Sequence, residues 1–294
     1  MKCFARSFAI CSTLIVGIHF SLPTQLCAQS DRAATDGAPG MQLLRDAYRG
    51  HAAELEFLLA DSDTKISVQE KPILSWNSLG GWSGDLFVYT AQGRIQLVGC
   101  LGSQLQETGD IQFFQEFHSF ADQPIHDVAL GDSQTWQIPT NVPPIKLIED
   151  APTPANSAPR RLVQMRGLAR SFSLGMQVTD SNVENQLRLL PQPIARQSTD
   201  TGDVIESALF AFVSSAGTDP EALLLIEARR IEDQLQWTYS IGRFTTREIW
   251  MSYHQQEIWR VPADNRPPTG LIRAPYFYRN QSRSNLSALK RAAD

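Results

Sequence analysis

Cysteine is almost missing from the body of this sequence. Of four cysteines, Cys3, Cys11 and Cys27 fall within the first 28 residues, and only Cys100 lies beyond them. Long apolar runs are equally scarce: Phe8 to Phe20 is one, and no second follows. No long block of like charge and no collagen-like repeat occurs. These absences exclude a disulfide scaffold, a polytopic membrane protein and a fibrous or disordered chain. Also missing are a P-loop, an H-E-x-x-H helix, an EF-hand loop and a dinucleotide fingerprint.

What is present is an ordinary globular composition. Of 294 residues, 42% are apolar and 19% charged, and 26 Lys and Arg face 31 Asp and Glu for a net charge of −5. The first 28 residues read as a signal peptide. Lys2 and Arg6 supply a positive start, Phe8 to Phe20 an apolar stretch, and Pro23 a break before Leu26-Cys27-Ala28. The apolar stretch falls short of the ~20 residues that a spanning helix needs. Cleavage is expected after Ala28. Lipidation at Cys27 fits poorly, because Thr24 stands where Leu is wanted. The expected destination is the periplasm or the exterior, with no transmembrane helix after cleavage. Losing Lys2 and Arg6 without any acid moves the net charge from −5 to −7.

Periodicity divides the remainder. An N-terminal unit over 29–138 opens with an amphipathic helix on Leu44, Tyr48, Ala52, Leu55 and Leu59, ending near Asp61. Short β-branched and aromatic runs follow at 73–76, 86–89, 95–101, 111–120 and 135–138. Their spacing predicts an antiparallel meander. Six prolines between Pro139 and Pro159 mark a linker over 139–159. A second unit, 160–262, begins with a helix capped by Asn156 or Ser157, its apolar face formed by Leu162, Met165, Ala169 and Phe172. Strands are expected at 187–190, 208–213, 222–228, 235–241, 249–253 and 258–261, with Pro191 and Pro193 pushing the first towards a sheet edge. The fold class is therefore α+β and β-rich: two antiparallel β-meanders, each preceded by an amphipathic helix. Leu86-Phe87 recurs as Leu209-Phe210, and Trp136-Gln137-Ile138-Pro139 as Trp259-Arg260-Val261-Pro262, both 123 residues on. The shared offset raises a tandem duplication, against the simpler reading that similar hairpins select similar residues.

Several segments carry a resemblance. Lys71-Pro72-Ile73-Leu74-Ser75-Trp76-Asn77, Glu116-Phe117-His118-Ser119 and Arg161-Leu162-Val163-Gln164-Met165-Arg166 resemble segments of a family of secreted planctomycete proteins. So do Leu187 to Pro193, Leu209 to Val213 and, most closely, Gly217 to Ala228. The resemblance spans about residues 70 to 262. It implies an exported bacterial protein and brings no assigned activity, so no catalytic residue is carried over.

Chemistry has few candidates. Glu116 and His118 would share one face of a strand, and a turn at 121–124 could return His126 and Asp127 beside them. Two imidazoles and two carboxylates suit a divalent metal, though Phe114 and Phe120 share that face and favour a buried polar pair instead. Otherwise no cofactor is predicted. Gly81-Trp82-Ser83-Gly84 lacks the spacing of a nucleophile elbow and reads as a turn before a strand. Cys100, among Leu97, Val98 and Leu101, reads as a small buried apolar residue. Glu227, Glu232 and Asp233 flank a turn and are expected in solvent.

The C-terminal segment, 263–294, stands apart. Residues 265–293 hold six cations and no acid, with Tyr276, Phe277 and Tyr278 among them. Export argues against nucleic acid. A basic aromatic tail of this kind could meet an acidic envelope component or partner through Arg273, Tyr276, Tyr278 and Arg279. Its removal is then expected to leave the fold intact. The expected function is a non-catalytic binding or structural protein of the cell envelope; the alternative is a metal-dependent hydrolase built on residues 116–127.

Overall fold

The computed structural model describes residues 39–130, 134–138, 144–177, 184–199, 202–215, 217–265 and 270–293. The expected signal peptide, Pro139, Pro143 and Arg266 lie outside the described residues. The first half runs through α1 (Pro39–Glu54), β1 (Phe57–Leu59), β2 (Thr64–Val68), β3 (Leu74–Asn77), β4 (Trp82–Ala91), β5 (Arg94–Leu105), β6 (Asp110–Ser119), β7 (Ile125–Ala129) and β8 (Gln134–Ile138). The second half runs through β9 (Lys146–Leu147), α2 (Ala158–Ala169), β10 (Phe172–Gln177), β11 (Glu184–Leu189), β12 (Ala195–Ser198), β13 (Val204–Val213), β14 (Pro220–Ile231), β15 (Gln234–Arg243), β16 (Ile249–Tyr253) and β17 (Gln256–Val261). The chain closes with β18 (Gly270–Arg273), β19 (Tyr276–Asn285) and α3 (Leu286–Ala293). Among the described residues no helix is long and apolar enough to cross a membrane.

The protein is β-rich, with two curled, largely antiparallel sheets. The first has the order β18-β8-β7-β1-β2-β4-β5-β6-β19, with β3 beside β4. The second has the order β17-β16-β10-β11-β13-β14-β15-β9, with β12 beside β13. Neither is a simple meander. After β6 the chain crosses the sheet to pair β7 with β1, and after β15 it crosses to pair β16 with β10. Strand for strand, β8-β7-β1-β2-β4-β5-β6 follows the same path as β17-β16-β10-β11-β13-β14-β15. The outer side of β6 is covered by β19, and that of β15 by β9.

Each central strand is apolar on both faces because each sheet is covered twice. On β4, Phe87 and Tyr89 point to the side of α1, whose Leu44, Tyr48 and Ala52 they meet. Leu86 and Val88 point the other way, into a cluster shared with Leu209, Ala211, Leu223 and Leu225 of the second sheet. Phe210 and Phe212 face Met165, Leu168 and Ala169 of α2. The layers are thus helix, sheet, sheet, helix, with an apolar seam between the sheets.

Polar ties fix these layers. Arg45 on α1 bonds Asp85 at 2.6 Å, and Arg161 on α2 bonds Glu206 at 2.6 Å. Between the sheets, Arg94 on β5 grips Glu227 on β14 with two bonds, 2.8 and 3.2 Å. Asp122 lies 2.8 Å from Arg94, and Arg229 reaches both acids at 3.1 to 3.2 Å. Glu227, expected in solvent, is 1% exposed. A carboxylate inside an apolar run must be paired, and here the partner arrives from the opposite sheet.

Other expectations are corrected. The first helix stops at Glu54, and Leu59 belongs to β1. Phe172 lies in β10 rather than on α2. The strand before Pro191 is interior, paired with both β10 and β13, because the prolines fall beyond its last residue. The C-terminal segment is not a free tail. Its strand β19 lies along β6 from Tyr276↔His118 to Asn285↔Asp110, Phe277 stacks on Phe117 at 5.4 Å, and Trp136 donates to the Ala274 carbonyl at 2.8 Å.

Two outcomes are expected. Truncation before residue 270 should abolish cooperative unfolding and the near-ultraviolet circular dichroism of the aromatic core. Glu227→Ala, which strands two buried guanidinium groups, should cost about 3–5 kcal/mol in urea unfolding, and Arg94→Met with Glu227→Met much less.

Candidate functional site

The face of β6 that meets the second sheet carries Phe114, Glu116, His118 and Phe120 in alternation. Phe114 and Phe120 enter the apolar seam. Glu116 and His118 open onto two different cavities, one at each side of the seam.

The first is a cleft of about 440 Å³. Trp76, Trp82, Phe114, Phe244 and Tyr278 form aromatic walls, and Glu116, Asp219 and Glu221 supply carboxyls. Local structure explains their convergence. Gly80 and Gly81 turn the chain with φ of 78° and 77°, so that β4 can begin at Trp82. A Cβ on Gly81 would lie 2.4 Å from the Leu105 carbonyl oxygen. Across the seam, the turn before β14 brings Asp219 and Glu221 to the same mouth. Trp82 and Tyr278 flank Phe114, with ring centroids at 5.6 and 5.8 Å.

Burial dominates the electrostatics. It pushes Glu116 up to about 8, against a 2.7 Å hydrogen bond from the Tyr276 hydroxyl that favours the charged form. Burial likewise raises Glu221 to about 7, helped by the nearby Asp219, which is itself raised by burial. The three carboxyls are therefore poised to exchange protons near neutrality. Arg247 is the one cation among the lining side chains. Cys100 lies in the wall, buried, its thiol driven well above its ordinary value by desolvation.

The second cavity, about 720 Å³, is mainly apolar and holds His118, Arg243, Tyr276 and Arg273 in its lining. His118 is 2% exposed. Burial, with Arg243 nearby, lowers its pKa to about 3, so the ring is neutral at pH 7.

The four residues expected to share a metal are dispersed. Glu116 faces the cleft and His118 the second cavity, while His126 and Asp127 are exposed on β7. His126 bonds Asp63 at 2.8 Å, and Asp127 accepts a bond from Gln137. Among the described residues no three His, Cys, Asp or Glu side chains gather as a metal site. Of the four residues expected to meet a partner, Tyr276 is buried and bonds Glu116, and Tyr278 lines the cleft. Arg279 bonds Gln115 and the Leu130 carbonyl, while Arg273 is exposed and bonds Gln137 at 3.0 Å. Sequence reading missed Trp82, Asp219 and Glu221 as a group. The available signal was an acid pair set against the start of the apolar strand Ala222–Ala228. Ser83, set aside as a nucleophile, is buried 2.8 Å from the Tyr48 hydroxyl.

Compared with known proteins, the chain matches no family model, no curated protein and no solved structure.

The raised carboxyls have a consequence for stability. Glu116 and Glu221 hold protons in the folded state that an unfolded chain releases near pH 4.5. Their contribution is complete below that pH and is lost as pH rises through about 7 to 8. Unfolding free energy should fall by ~1–3 kcal/mol between pH 5 and 8, after allowance for solvent in the cleft. Glu116→Gln with Glu221→Gln should flatten that slope in a series of urea titrations. An equal slope in the double variant would contradict the assignment.

Proposed function

We propose that this chain is a non-catalytic, exported binding protein of the cell envelope, and that the aromatic cleft between its sheets is its binding site. The charge arrangement carries the reading. Five aromatic rings surround three carboxyls and one guanidinium, an environment that favours an organic cation such as a primary amine or a quaternary ammonium group. The π faces attract the cation, and its charge returns Glu116 and Glu221 to their ionised forms. Envelope location rests on the residues of the first 28 positions. The hydrolase alternative draws less support, since Glu116 and His118 open on separate cavities and His126 pairs with Asp63.

The two halves are read as a tandem duplication in which each amphipathic helix precedes its sheet. Support comes from the common strand path, from the 123-residue offset, and from the faces involved. Leu86 and Leu209 both enter the seam, and Phe87 and Phe210 both face their own helix. In each half a helix arginine, Arg45 or Arg161, crosses to a buried acid on β4 or β13.

Calorimetric titration with choline and with spermidine tests the cleft. Binding should tighten as pH rises from 6 to 9 and release protons, seen as a buffer-dependent heat. Trp82→Ala and Glu116→Gln should each weaken it about 10-fold, ~1.4 kcal/mol. Binding that is absent, or indifferent to both substitutions, would remove the cleft from the reading.

A further inference from the structure

The second cavity has its own chemistry. His118 projects from β6 into it, held between Phe120 at 5.2 Å and Tyr276 at 6.5 Å between ring centroids. Gly242 makes the space: a Cβ there would stand 3.0 Å from His118 Cδ2 and 2.7 Å from Phe120 Cζ. The ring is 2% exposed, and its nitrogens find no side-chain partner among the described residues; the backbone of Arg243 is the nearest polar group. An imidazole has two nitrogens, so at least one is left to a ligand. A buried polar atom without a partner carries a cost that a bound acceptor or donor relieves.

The surroundings specify that ligand. Arg243 is fixed by three carbonyls, those of Thr245, Pro262 and Arg247, at 2.8, 3.0 and 2.7 Å. Its guanidinium lies 5.0 Å from the Tyr276 ring centre. Arg273 adds a second cation to the lining and Asp264 one anion, so cations exceed anions by one. Ile241, Trp259 and Val261 contribute apolar wall. A volume of about 720 Å³ falls in the ~300–1,000 Å³ range of small-molecule sites.

We propose that this cavity binds an apolar monocarboxylate, its chain against Ile241, Trp259 and Val261 and its carboxylate hydrogen-bonded to His118 in the field of Arg243. The site is separate from the amine cleft and takes a ligand of opposite charge, so either can fail without the other. The carboxylate favours the imidazolium form, and His118 takes up a proton on binding.

The probe is decanoate, titrated calorimetrically into the full chain, with decan-1-ol as the uncharged control. The expected result is saturable binding at one site, at least 10-fold tighter than decan-1-ol. It should tighten as pH falls from 8 to 6 and be weakened at least 10-fold by His118→Phe. Proton uptake should appear as a dependence of the heat on buffer ionisation enthalpy, and vanish in His118→Phe. Arg273→Ala, on an exposed side chain, should weaken decanoate several-fold without altering decan-1-ol, and decides the matter if His118→Phe fails to fold. No saturable binding, equal affinity for decanoate and decan-1-ol, or decanoate affinity unchanged in a folded His118→Phe would each overturn the proposal.

Discussion

The contact between the two sheets is the constraint on which the remaining architecture depends. Leu86, Val88, Val98 and Cys100 on one side meet Leu209, Ala211, Leu223 and Leu225 on the other. Because the opposite face of each sheet is covered by a helix, no central strand has a solvent side. That is why β13 and β14 are continuous apolar runs where a half-exposed sheet would alternate. A charge can enter such a strand only with a partner, and the Arg94–Glu227 pair shows the form it takes. Bonds from both guanidinium edges and a second arginine surround the carboxylate, leaving few of its lone pairs unmet. The pair sits beside the apolar seam and fixes the alignment of β5 on β14, which apolar contact alone leaves loosely specified.

The cavities arise from the same seam. Where Phe114 and Phe120 insert, the sheets are in contact. Between and beyond them, Glu116 and His118 occupy positions where the opposing strand supplies a turn or a glycine instead of a bulky side chain. The Tyr276–Glu116 hydrogen bond joins the two spaces, its hydroxyl donor lining one and its acceptor the other. Alternation along one strand thereby places an acidic aromatic site and a cationic apolar site only two residues apart.

Much of this was legible in the amino-acid sequence. The long apolar strands, the proline signal before α2 and the helical face of α1 all stand out, because each buries a regular set of side chains. Short strands did not. In β2 only Ile66 is buried, and β12 buries nothing fully, so neither has a period to detect. The basic C-terminal segment was misread for a related reason. Arg279, Asn280, Gln281 and Arg283 belong to the outer strand of a sheet, where polar residues are tolerated, and only Tyr276 and Phe277 reveal its buried end. The site was half legible: Glu116 and His118 stood out as polar residues in an aromatic strand. Their separation into two cavities depends on the second sheet, and no spacing within β6 carries that information.

The place of β19 bears on the order in which the molecule can be completed. In the second half, the strand beside β15 precedes its helix directly, so every partner lies within a short stretch of chain. In the first half, the equivalent strand beside β6 comes from about 160 residues later. The half that leaves the ribosome first is therefore finished last, waiting with one edge open until the final segment arrives. Pairings of that sequence separation fold slowly. A stop codon near the end of the reading frame would spare the neighbouring half and damage the distant one.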